Sequence, residues 1–170
     1  MKRFWAFAPL VALVFIAAAA AMVLLRPGQR ETITEGLVGQ PAPAYALATL
    51  GDRGTVTPAA FAGRPYVINF FASWCAPCRV EHPMLLALKE QGVTILGVAY
   101  KDQRPDALLR DLGDPFAAVG LDPDGRYGLQ MGLAGVPETF VVGPDGRIRA
   151  LVRGPLDEEL VRTRILPALE

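Results

Sequence analysis

Cys75 and Cys78 are the only two cysteines in the 170-residue chain, and they stand three positions apart in Trp74-Cys75-Ala76-Pro77-Cys78-Arg79. Their surroundings restrict the fold. Tyr66-Val67-Ile68-Asn69-Phe70-Phe71 is an almost unbroken apolar run that reads as a buried strand. Met84, Leu85 and Leu88 follow at helical spacing. The cysteines therefore sit where a strand ends and a helix begins, with Cys75 at or near the helix N-terminus. Unpaired N–H groups and the positive end of the helix dipole favour an anion there. That lowers the pKa of a thiol, and the thiolate is its nucleophilic form. Cys78, about one turn further on, can close a tight disulfide that passes to another protein by thiol–disulfide exchange.

Three other readings of the cysteine pair compete with redox chemistry. A purely structural disulfide across three positions would close a very small loop and restrain the unfolded chain little. Zinc would have Cys75, Cys78 and His82, but a structural site needs four ligands, and the sequence has no second Cys pair and no other histidine. His82 reads instead as a surface residue. Haem attachment needs a histidine directly after the second cysteine, where Arg79 stands. No metal and no cofactor beyond the redox-active disulfide is expected.

The formal net charge is zero and the charges are interspersed, so no basic stripe points to nucleic acid. Phe4 to Leu25 runs for 22 residues without a charge. As a helix it would be roughly 33 Å long, enough for a hydrocarbon core of roughly 30 Å. A cleaved signal peptide has a shorter apolar region, although Ala17 to Ala21 supplies small residues of the kind a signal peptidase accepts. Residues 1–25 are therefore read as a membrane anchor, 26–36 as a linker and 37–170 as one globular domain.

Within that domain, Ala44–Leu50 and a segment around Val56 flank Gly51-Asp52-Arg53-Gly54 as a hairpin. Thr57-Pro58 opens a short helical turn. The helix after Cys75 is predicted to run to about Gln91, to kink at Pro83 and to stop at Gly92. Val93–Tyr100 is apolar nearly throughout and reads as a central parallel strand. A helix over 104–112, a strand over 117–121 and a short helix over 125–131 follow. Gly143-Pro144-Asp145-Gly146 joins two strands in the clearest hairpin of the chain. An amphipathic helix from Asp157 to Leu169 closes it. This order implies an α/β plan with a mixed sheet.

A second motif, Gly135-Val136-Pro137-Glu138-Thr139, lies directly before that hairpin. A proline opening a strand is placed where no ladder hydrogen bond is lost. With Trp74-Cys75-x-x-Cys78, the Val-Pro before a hairpin resembles the thioredoxin superfamily. Glu81 and Pro83, Tyr100-Lys101-Asp102, Leu112-Gly113-Asp114-Pro115-Phe116 and the N-terminal apolar run extend the match. Together they resemble the membrane-anchored thiol:disulfide interchange proteins of cytochrome c maturation, the DsbE/CcmG family.

The resemblance implies a thioredoxin-like three-layer fold, a mixed central sheet with flanking helices, plus an N-terminal hairpin extension and a transmembrane anchor. It implies a cis-Pro137 loop facing the cysteines, with Val136 and Trp74 on the substrate side. It implies a catalytic domain in the periplasm, anchored by a single pass through the inner membrane. There it would act as a reductant of disulfides in apocytochrome c or in haem-ligation components, with a membrane thiol reductase as electron donor. One position departs from ordinary thioredoxins. Asn69, six residues before Cys75, stands where they have a buried aspartate relay. Glu81 and Glu138 are the candidates to take over its proton-handling role. Two alternatives remain at this stage: a general thiol reductase serving another pathway, and an anchored chaperone that holds unfolded apocytochrome.

Overall fold

The computed structural model describes residues 8–24, 36–51 and 54–170. Near the N-terminus, α1 spans Ala8–Leu24, 17 residues without a charge. Among the described residues no helix is long and apolar enough to cross a membrane. The anchor expected from Phe4 to Leu25 is longer because it includes residues 4–7 and 25, which lie outside the described residues. Most of the expected linker, residues 26–35, lies outside them as well.

Leu37–Glu170 forms one compact unit. It contains β1 (Leu47–Ala48), β2 (Thr55–Val56), a 3-10 turn at Pro58–Phe61, β3 (Tyr66–Phe71), α2 (Ala76–Glu90), β4 (Ile95–Tyr100), α3 (Asp106–Leu112), β5 (Ala118–Asp122), α4 (Arg126–Gln130), β6 (Glu138–Val142) and β7 (Ile148–Arg153). A last helix, α5, is built from an α turn at Glu158–Leu160, a π turn at Val161–Ile165 and a further α turn at Leu166–Leu169. The five-stranded sheet has the order β5-β4-β3-β6-β7. β3, β4 and β5 run parallel, β6 runs antiparallel to β3, and β7 pairs antiparallel to β6 and so runs in the direction of β3 again. β1 and β2 form the small N-terminal hairpin, with Leu47 opposite Val56. Asp52 and Arg53 of its turn lie outside the described residues.

β3 is apolar at nearly every position because both of its faces are covered. Val67 and Phe71 point into a core shared with Cys75, Cys78, Leu85 and Leu88 of the α2 side and with Val161 and Ile165 of α5. Tyr66, Ile68 and Phe70 point the other way, into a core with Leu47, Val56, Phe61, Tyr127 and Met131. The period-2 alternation of a strand thus divides the sheet into two buried faces. Asn69 and Thr139 share the α2 face with Val67 and Val141. α2 continues through Pro83 to Glu90, and Gly92, with φ of 84°, turns the chain at its end.

Candidate active site

The end of β3 delivers the chain to α2 through a tight turn, in which the Cys75 N–H donates to the Ala72 carbonyl at 3.1 Å. Cys75 is the N-cap of α2, and its sulfur accepts the backbone N–H of Cys78 at 3.1 Å. Cys75 and Cys78 are joined in a disulfide, with Cα atoms 5.3 Å apart. Both are buried, whereas Trp74, Ala76, Pro77, Arg79 and Val80 around them are exposed. A reduced Cys75 would sit at a helix N-terminus with an N–H already aimed at its sulfur, which stabilises a thiolate.

Glu81 is one turn beyond Cys78 on the same helix, and it is completely buried. One of its carboxylate oxygens accepts the Asn69 side-chain N–H at 2.8 Å. The other accepts the backbone N–H of Leu156 at 2.9 Å. Burial pushes its pKa up to about 7, against the lowering effect of these two donors. The Asn69 amide also donates to the Thr139 hydroxyl at 3.0 Å. Its own carbonyl oxygen is buried without a partner. The non-titrating residue at the relay position thus becomes the link between a titrating helix residue and β6.

Glu138 is placed differently. It precedes Thr139 on β6, so its side chain leaves the opposite face of the sheet. One of its oxygens accepts the Ala134 N–H at 2.9 Å and lies 3.7 Å from the Arg153 guanidinium across the β6–β7 pair. Burial raises its pKa, opposed by Ala134, Arg153 and Gly135. Its contacts brace the loop that carries Val136 and Pro137. The bond between these two residues is cis. Val136 is half-buried and packs against both cores, including the one that holds the two cysteines.

A match to the Redoxin family model covers residues 37–165. The chain belongs to the redoxin family. Within it, the chain is 46% identical over 136 residues to the thiol:disulfide interchange protein HelX of Rhodobacter capsulatus, covering 78% of this chain and 77% of that protein. It is 36% identical over 177 residues to the thiol:disulfide interchange protein DsbE of Escherichia coli K12, covering 100% and 96%. A crystal structure of a putative thiol:disulfide interchange protein DsbE from Chlorobium tepidum superposes with a TM-score of 0.66 at 29% identity, over 78% of this chain and 98% of that one. The thioredoxin-like mixed sheet and the DsbE-type resemblance are thus shown. The redoxin is a protein thiol–disulfide oxidoreductase.

One expectation is corrected in this redoxin. His82 is not on the surface but 1% exposed. Its Nε2–H donates to the Gly113 carbonyl at 2.9 Å. Position 82 falls on the face of α2 that turns toward the loop after α3, which helical spacing alone does not reveal. Among the described residues no three His, Cys, Asp or Glu side chains converge to hold a metal ion. Two contributors went unassigned in the sequence reading. Thr139 and Asp102 appear there only as parts of motifs, because their partners lie 70 and 29 positions away.

Proposed function

We propose that this redoxin is a reductant of protein disulfides in cytochrome c maturation, acting on apocytochrome c or on haem-ligation components. The observation that carries the chemistry is the buried Glu81 carboxylate one turn from Cys78, held by Asn69 and Leu156 with its pKa near 7. The cytochrome assignment is supported by the DsbE/CcmG-type motifs of the sequence and by the identity to DsbE and HelX.

In the proposed reaction the Cys75 thiolate attacks a substrate disulfide and expels one substrate sulfur as a thiolate, leaving a mixed disulfide. Cys78 then loses its proton to Glu81 and attacks the Cys75 sulfur. The second substrate thiol leaves, and the Cys75–Cys78 disulfide forms. Two electrons pass to the substrate, and its two sulfurs take up protons from the site and from solvent. Val136 and Pro137 hold the substrate chain extended beside Trp74, in the manner of an added strand. Glu138 serves by bracing that loop. A membrane thiol reductase returns the electrons.

The apolar N-terminal segment, through α1, anchors the protein in the inner membrane with the domain in the periplasm. Resistance to alkaline extraction, together with protease access to the domain in spheroplasts, tests that part. The function itself is tested by trapping. Full-length protein carrying Cys78→Ser should accumulate a mixed disulfide in cells that make c-type cytochromes, with an apocytochrome or a haem-ligation component attached. If no such adduct forms, or its partner belongs to another pathway, the cytochrome reading fails.

A further inference from the structure

β7 ends at Arg153, and Asp157 already caps α5. The residues between them, Gly154-Pro155-Leu156, carry only two backbone N–H groups, since proline has none. Both are used inside the site. The Gly154 N–H donates to the Pro137 carbonyl at 2.9 Å. The Leu156 N–H donates to Glu81 at 2.9 Å, across 75 positions of sequence. Pro155 is exposed, whereas the Leu156 side chain is buried in the core that holds Cys78. The segment is a strap with one end on the cis-proline loop and the other on the carboxylate.

The strap calls for a glycine. Gly154 has a φ of 91°, backbone that other residues rarely adopt. A Cβ built there meets nothing within 4 Å. Space would admit a side chain, and the torsion alone selects against one. That torsion turns the chain between its bond to Pro137 and its bond to Glu81.

Glu81 has little else to hold it. Its two donors are the Asn69 amide of β3 and the Leu156 N–H. Cys78 lies one turn back on its own helix, and α5 brings the apolar Val161 and Ile165 to the surrounding core. Among the described residues no salt bridge includes Glu81. Glu138 and Arg153, opposite each other on β6 and β7, leave the other face of the sheet. A buried carboxylate with two donors depends strongly on each.

We infer that Gly154, acting through the Leu156 N–H, is a positioning residue that holds the Glu81 carboxylate for Cys78 and ties it to the loop carrying Pro137. This rests on the reading above that Glu81 takes the Cys78 proton. With the strap displaced, Glu81 keeps one donor, its charged form loses stabilisation and its pKa moves up.

The test uses full-length oxidised protein with isotopically labelled glutamate carboxyls, titrated by NMR. In this form the cysteines do not titrate, and Glu81→Gln assigns the Glu81 resonance by its loss. Wild type should titrate at about 7. Gly154→Ala should move the midpoint up by about one pH unit, the scale of one hydrogen bond to a charged group. Gly154→Asn tolerates positive φ better and should move it less, which keeps the test readable if the alanine variant does not fold. With reduced protein and a disulfide-bonded peptide, Gly154→Ala should lengthen the life of the mixed disulfide about tenfold at pH 6, where the rate follows the ionised fraction of Glu81, and little at pH 9. Equal slowing at both pH values would mark a merely structural glycine and overturn the inference. An unchanged Glu81 midpoint in the folded variants overturns it as well, and leaves the reading of Glu81 standing. A wild-type midpoint near 4.5 overturns that reading itself, and the inference with it.

Discussion

At the scale of single residues, Glu81 is the proposed proton acceptor for Cys78. In the unfolded chain it ionises near 4.5, whereas in the fold it keeps its proton to about pH 7. Between those values the native state binds the extra proton, so stability falls as pH rises and levels off above about 7. The full contribution is present below 4.5. The total change assigned to this residue is roughly 3 kcal/mol, and Glu138, also raised by burial, adds in the same direction. Urea unfolding of the oxidised protein at pH 5, 6, 7 and 8 should show the decline. Glu81→Gln should make it shallower, leaving only the part due to Glu138, whatever the variant loses in overall stability. A slope that the substitution leaves unchanged would mean that Glu81 titrates as an ordinary carboxylate. The same substitution should slow the second step of exchange, seen as a longer-lived mixed disulfide with peptide at pH 7. Sequence spacing placed Glu81 near Cys78, but it gave Glu138 equal standing. The alternation of β6 separates the two, because adjacent strand residues leave opposite faces of the sheet.

Among the elements, the strands and hairpins follow local rules and were readable in advance. Gly143-Pro144-Asp145-Gly146 marks the β6–β7 turn. In the structure Gly143 donates to the Arg147 carbonyl at 2.8 Å, and Gly146 takes a φ of 76°. The glycine within β4 has a different cause, a close approach. A Cβ on Gly97 would lie 2.7 Å from the Phe116 ring, which is itself stacked on Phe71 at 4.9 Å. Gly97→Ala should therefore destabilise by about 1–3 kcal/mol in urea. At Gly143 a Cβ would meet the flexible Arg149 side chain and the Asp145 carboxylate instead. The closing helix was also legible in outline. Asp157 caps it by accepting the Leu160 N–H at 2.8 Å, and Asp157→Ala should cost about 1 kcal/mol in the same assay. Its π turn at Val161–Ile165 has no local signature, since Val161 and Ile165 suit an α-helical face as well.

For the molecule as a whole, the decisive quantity is the reduction potential of the Cys75–Cys78 pair. A periplasmic reductant should lie near or below roughly −200 mV, toward the thioredoxin end of the scale. Alkylation gel shifts in graded thiol buffers measure it directly. A value near roughly −120 mV would make the protein an oxidant and reverse the proposed electron flow.

The amino-acid sequence by itself determined the local facts: a cysteine pair at a strand-to-helix junction, a Val-Pro before a hairpin, and the order of strands and helices. Each depends on residues close together in the chain. The tertiary structure decided which side chains meet. Asn69, Glu81, Thr139 and the Leu156 N–H come from separate elements, joined by contacts that span 12, 70 and 75 positions. It also buried His82 and set Asp102 against Ser73. Strand order and register control those meetings, and a slip of one residue would turn Thr139 away from Asn69 and bring Glu138 to α2.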